Sequence, residues 1–197
     1  MIFNTYLVGV GGQGVLTIGE LITEAAFLDK TPVNYYPTEG MAQRGGFVKA
    51  QIRIGQEFVG PHIPEKNADL IIAMEISEAL KAIHYIKPGS DFLLWGHTWL
   101  PTASMLGKQG YPGLEKVKEQ ITQAGANLVY LDPANLPTYQ GLLVADNLYV
   151  LGATAGYTSL GKILKVETIK KAIENRWPKV AEKNLYAFRC GLEIGLN

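Results

Sequence analysis

Two short segments hold residue types whose spacing suits ligand chemistry. The first is Gly9-Val10-Gly11-Gly12-Gln13-Gly14, a G-x-G-x-x-G pattern. Glycines let a backbone turn tightly and approach a ligand closely. A helix that starts after such a turn offers free N–H groups and the positive end of its dipole to an anion. A dinucleotide is one occupant of this pattern. An anion or a neighbouring chain is another, and a tight turn that binds nothing is a third. The acid that would hold a ribose, roughly 20 residues further on, is missing at the end of the second strand. Asn34, Tyr35 and Tyr36 fill that stretch, and Glu39 comes only in the next loop.

The second segment is Met41-Ala42-Gln43-Arg44-Gly45-Gly46. It sets an arginine beside two glycines at the mouth of a strand. A guanidinium there can clamp a carboxylate or phosphate through two parallel hydrogen bonds. Gly45 and Gly46 leave room for backbone N–H groups to join in. Strand-end loops of an α/β sheet collect ligands, so Arg44 and the Gly11 to Gly14 turn could share one site. A structural ion pair from Arg44 to Glu39 is the competing reading.

The elements that position these segments follow from periodicity. Tyr6 to Val10 reads as a strand, and Leu16 to Leu28 as a helix with Ile18, Leu21, Ile22 and Ala25 at helical spacing. Pro32 cannot continue that helix. Val33 to Tyr36 is a short second strand. Phe47 to Ile54 alternates with period two, which predicts a half-buried strand, antiparallel or at an edge. Glu57 to Val59 is its expected hairpin partner. Further on come a strand at Asp69 to Ala73 and a helix from Glu75 to Ile86, stopped by Pro88-Gly89. A strand at Phe92 to Trp95, a helix at Leu114 to Ala124 and a strand at Asn127 to Leu131 follow. From about Ala145 the chain reads as helical, with breaks near Gly156 to Gly161 and at Pro178. Strands alternating with helices predict an α/β fold: three layers, with a Rossmann-like, mainly parallel but mixed sheet and helices on both faces. One domain over residues 1–197 is the simplest organisation.

Composition narrows the function classes. The 18 basic and 18 acidic side chains balance, which favours neither nucleic acid nor anionic lipid. No basic leader and no apolar run of bilayer length is visible, so a cytoplasmic location is the expectation. Cys190 is the only cysteine. An internal disulfide is excluded, as is an iron–sulfur cluster held by this chain's own thiolates. His62, His84 and His97 are scattered, with no metal-ligand spacing. Cys190 reads as a buried, inert thiol, and His84 as a structural side chain on an apolar helix face. Glu75 and Glu78, at a helix start, favour its dipole rather than forming a catalytic pair. His97 and Trp99 read as loop anchors, with a place at a subunit interface as the alternative.

The two motifs together carry a family resemblance. Val8 to Leu16, with Glu39 to Gly46 and the strand running on to Arg53-Ile54-Gly55, resembles the gamma-type subunit of 2-oxoacid:ferredoxin oxidoreductases. The Met-Ala-Gln-Arg-Gly-Gly form is most similar to the indolepyruvate ferredoxin oxidoreductase beta-subunit branch. The likeness extends through Ile63-Pro64-Glu65 and His84-Tyr85-Ile86-Lys87-Pro88-Gly89 to Asn184-Leu185-Tyr186-Ala187-Phe188. It implies a non-redox subunit, inactive alone, of a complex that oxidatively decarboxylates a 2-oxoacid to an acyl-CoA. Thiamine diphosphate, [4Fe-4S] clusters and coenzyme A are expected in the complex, with none bound firmly by this chain. The implied partners are the thiamine- and cluster-binding subunits and, indirectly, ferredoxin; a homodimer is an option for the isolated chain. The resemblance implies no catalytic and no metal-binding residue here. Gly11, Gly12, Gln13, Gly14, Gln43, Arg44 and Gly45 are the expected cofactor-contacting positions. A free-standing dinucleotide-binding oxidoreductase and a non-catalytic scaffold module are the alternatives.

Overall fold

A computed structural model describes residues 2–37, 45–100 and 110–195. Its centre is a six-stranded sheet. Strand β1 is Phe3–Val10, β2 Val33–Pro37, β3 Phe47–Ile54, β4 Ala68–Ala73, β5 Ile86–Trp95 and β6 Asn127–Leu131, in the order β2-β3-β1-β4-β5-β6. β1, β4, β5 and β6 are mutually parallel. β3 lies antiparallel between β1 and β2.

Side chains alternate across the sheet, and each face builds its own core. Leu7, Leu70, Ile72, Leu93 and Trp95 join one core. That face carries α1 (Val15–Leu28) and, after two short strands, β7 (Thr138–Tyr139) and β8 (Leu142–Leu143), the C-terminal helices. These are α4 (Asp146–Tyr157), the single turn α5 (Leu160–Ile163), α6 (Val166–Arg176) and α7 (Ala181–Leu192). Tyr6, Val8, Ile71, Phe92 and Leu94 point to the other core. It is covered by the short helix α2 (Ile76–Ala79), a 3₁₀ turn at Leu80–Tyr85 and α3 (Leu114–Gln123). The three-layer mixed sheet is therefore as expected.

α1 forms because Ile18, Leu21, Ile22 and Ala25 bury completely on one stripe. It ends in a Schellman motif: Thr31 N donates to Ala26 O at 2.9 Å and Lys30 N to Phe27 O at 3.0 Å. Lys30 takes the left-handed position at φ 54° that glycine usually fills. Asp29 fixes this corner to α6, accepting from the Thr168 hydroxyl at 2.9 Å. α4 and α7 cross closely. A Cβ on Gly152 would collide with the Phe188 carbonyl, and one on Gly191 with the Tyr149 carbonyl.

Some expectations need correction. Glu57 to Val59 is not a strand; β3 is already paired on both sides, so no ladder position is left for it. β3 itself is antiparallel, as its period-two pattern predicts, and sits inside the sheet. Its polar face is satisfied by the following loop: Gln51 Oε1 accepts from Ile63 N at 2.6 Å, and Arg53 donates to Gly60 O at 2.9 Å. The helix expected over Glu75 to Ile86 is one short turn and a 3₁₀ segment. β5 already starts at Ile86 and runs through Pro88-Gly89, where Gly89 N donates to Gly125 O at 2.7 Å. Cys190 is half-buried rather than buried, and His84 is exposed, its ring tilted against that of Tyr85 at 4.2 Å between centroids. No helix among the described residues is long and apolar enough to cross a membrane.

Candidate functional site

The parallel strands end at one edge of the sheet, and β3 begins there. The chain turns through Gly11–Gly14 after β1, enters β3 from Gly45-Gly46, leaves β4 at Met74-Glu75 and leaves β5 at Gly96 to Trp99. From β1 the chain goes to β2 on one side, and from β4 to β5 on the other. The boundary between β1 and β4 is thus the switch point, where open α/β sheets leave a crevice for ligands.

In this molecule Gln13 fills that crevice. Its side chain is buried. Nε2 donates to Met74 O at 2.7 Å, and Oε1 accepts from Val10 N at 2.9 Å. The first part of the glycine turn is also engaged. Gly11 N donates to Gly46 O at 2.8 Å and Gly45 N to Gly11 O at 3.1 Å, so the β1–β3 ladder runs on into the turn. A Cβ on Gly9 would lie 2.7 Å from Val15 Cγ2 and 2.9 Å from Met74 Cβ, so this glycine lets helix, strand and crevice close up.

Gly12 and Gly14 remain the outward part of the turn. Gly12 is exposed. Gly14 precedes α1 at φ 73°, and a Cβ there would meet the Asn147 side chain, 3.0 Å from its Cβ. The start of α4 therefore presses on the start of α1. A cavity of about 260 Å³ opens beside them, lined by Val10, Gly11, Gly12, Gly14, Val15 and Thr17 among others. Gln43 and Arg44 lie outside the described residues. Gly45 lies within them, at φ 87°, with the Trp99 indole 3.0 Å from where its Cβ would be.

Trp99 is held there by a carboxylate that dipole reasoning undervalued. Glu75 is fully buried. Its Oε2 accepts from the Ser77 hydroxyl at 2.6 Å and from Glu78 N at 2.8 Å, capping α2. Its Oε1 accepts from Trp99 N at 3.1 Å and from the Tyr111 hydroxyl. Burial, then the neighbouring Glu75 carboxylate, pushes the Tyr111 hydroxyl well above its ordinary range. Burial likewise raises the Glu78 carboxyl, against the pull of Lys81. Asp146, at the start of α4, is raised by burial and partly restored by the Asn147 amide and His97. Nothing local in the sequence reveals these links, which join positions 24 and 36 residues from Glu75.

The edge can offer an exposed glycine turn, the N-terminus of α1 and an indole wall. Among the described residues no three His, Cys, Asp or Glu side chains are placed to hold a metal ion. A model of the pyruvate ferredoxin/flavodoxin oxidoreductase family matches residues 4–194. The chain belongs to that family. Indolepyruvate oxidoreductase subunit IorB of Archaeoglobus fulgidus is 32% identical over 192 residues, covering 97% of this chain and 94% of that one. The pyruvate oxidoreductase subunit PORC of Thermotoga maritima has the same fold, with a TM-score of 0.69 at 20% identity over 98% of this chain and 96% of that one. The 2-oxoglutarate:ferredoxin oxidoreductase of Magnetococcus marinus, solved with 2-oxoglutarate, coenzyme A and succinyl-CoA bound, matches with a TM-score of 0.64 at 20% identity. That match covers 96% of this chain but 30% of the Magnetococcus chain. The gamma-type resemblance read from the two motifs is borne out, and with it membership of a family of 2-oxoacid oxidoreductase subunits.

Proposed function

We propose that this chain is the non-redox subunit of a thiamine-diphosphate-dependent 2-oxoacid:ferredoxin oxidoreductase. An aryl 2-oxoacid such as indolepyruvate is the substrate of the complex, an acyl-CoA its product and the cytoplasm its location. The observation that carries this reading is the match over residues 4–194 together with near full-length similarity to IorB. One cysteine cannot ligate a [4Fe-4S] cluster, so the clusters belong to partner chains. The residues here fit a supporting role for coenzyme A better than for a dinucleotide. Gln13 occupies the crevice that a dinucleotide would need, while Gly12 and the N-terminus of α1 stay accessible to a phosphate. In this proposal Gly12, Gly14, Gly45, Gln43 and Arg44 are the positions that contact the cofactor. Gly11 and Gln13 act by holding the turn in shape.

The test is purification of the tagged chain from its native cell, followed by 2-oxoacid- and coenzyme-A-dependent dye reduction. A co-purifying, cysteine-rich, thiamine-binding subunit and activity highest with an aryl 2-oxoacid are expected. A lone chain carrying a dinucleotide would overturn the proposal.

A further inference from the structure

The opposite end of the molecule carries a surface that the proposed site does not use. α1 ends beside the start of β2, the outermost strand of the sheet. Phe27, on the last turn of α1, is 76% exposed, and Phe58, just past β3, is 92% exposed. They are the two most exposed large apolar side chains among the described residues. Phe27, Leu28, Pro32 and Val33 line a groove of about 680 Å³, with Lys30 and Glu57 also on its walls. Among the described residues, neither Lys30 nor Glu57 makes a side-chain hydrogen bond or ion pair.

One patch therefore holds an aromatic projection and an apolar recess, together with an unpaired cation and an unpaired anion. Such a patch is complementary to itself. A two-fold axis maps it onto its own copy, so each half meets its opposite twice. Balanced charge over the whole chain sets no net repulsion against that approach. The same contact would cover the start of the open β2 edge, which otherwise invites uncontrolled pairing.

We infer that this groove is the interface of a homodimer. Phe27 of each copy seats in the groove of the other, and Lys30 of each pairs with Glu57 of the other. The inference is independent of the redox reading, because it concerns the full chain alone.

The test is sedimentation equilibrium of the purified full chain, with circular dichroism to confirm that each variant is folded. A dimer is expected for the native sequence, and Phe27→Ser should weaken it by about tenfold or more. Lys30→Glu and Glu57→Lys should each weaken it by about tenfold, because each sets like charges together. The two substitutions in one chain should restore the dimer. Mixing the two single variants should give a heterodimer, since both ion pairs then re-form between unlike chains. A native chain that stays monomeric overturns the inference. So does a dimer indifferent to these changes, or a groove covered only by a different protein while the chain itself remains a monomer.

Discussion

Gln13 and Met74 join two strands that are remote in sequence. The Gln13 amide donates to the Met74 carbonyl at 2.7 Å while accepting from Val10 N at 2.9 Å, so one side chain seals the β1–β4 crevice. Removing it leaves a buried N–H and a buried carbonyl without partners. Each costs about 1–3 kcal/mol. Gln13→Ala should therefore lower unfolding free energy by about 2–6 kcal/mol, read from urea denaturation. A loss below about 0.5 kcal/mol would mean that water enters the crevice freely.

Glu75 and Trp99 give a second expectation. Glu75→Ala removes the acceptor for Trp99 N, Glu78 N, the Ser77 hydroxyl and the Tyr111 hydroxyl. A destabilisation of about 3 kcal/mol or more is expected for a buried network of this kind. Trp99 should also leave its seat over Gly45, giving a red-shifted indole emission that Trp99→Phe abolishes. An unchanged spectrum would show that the backbone holds Trp99 without the carboxylate.

The α4–α7 crossing predicts a contrast among glycines. Gly152→Ala and Gly191→Ala each drive a methyl group into a facing carbonyl. Each should cost about 1–3 kcal/mol or more. Gly60→Ala has nothing within 4 Å of the new methyl. It should stay within about 0.5 kcal/mol of the native protein. Thermal melts of the three variants side by side decide it.

Asp146 supplies a pH dependence. Burial, its largest influence, raises the folded carboxyl above its ordinary 3.8, although the Asn147 amide and His97 oppose this. An acid raised in the folded state lowers stability when ionised. The penalty is full above the folded pKa, shrinks as pH falls through it and vanishes below the unfolded value. Asp146→Asn should therefore melt higher than the native protein at about pH 8 and coincide with it near pH 3. A variant that melts lower at pH 8 would show that the carboxylate's place at the start of α4 outweighs its desolvation.

On the proposed role of Arg44 in ligand contact, Arg44→Ala should lower turnover of the purified complex by at least about tenfold, with the melting temperature unchanged. Activity and thermal unfolding measured on the same preparation separate lost ligand contact from lost folding.

Much of this protein was readable from local pattern. The stripe of Ile18, Leu21, Ile22 and Ala25, the period-two run from Val48 to Ile54 and the glycines between β1 and α1 are all short-range signals. They placed most elements to within a few residues and carried the family resemblance. They did so because helix and strand periods, and the freedom of glycine, are properties of neighbours along the chain. Tertiary structure alone decided the rest. β3 slots between β1 and β2, so the segment read as its hairpin partner has no ladder to join. β5 begins at Ile86, because pairing with β4 outweighs helical periodicity there. Gln13 became a crevice seal through an acceptor 61 residues away, and Asp29 a clamp on α6 through a hydroxyl 139 residues away. A hydrogen bond between distant residues leaves no period in the sequence; it exists only once the sheet order has brought its two ends together.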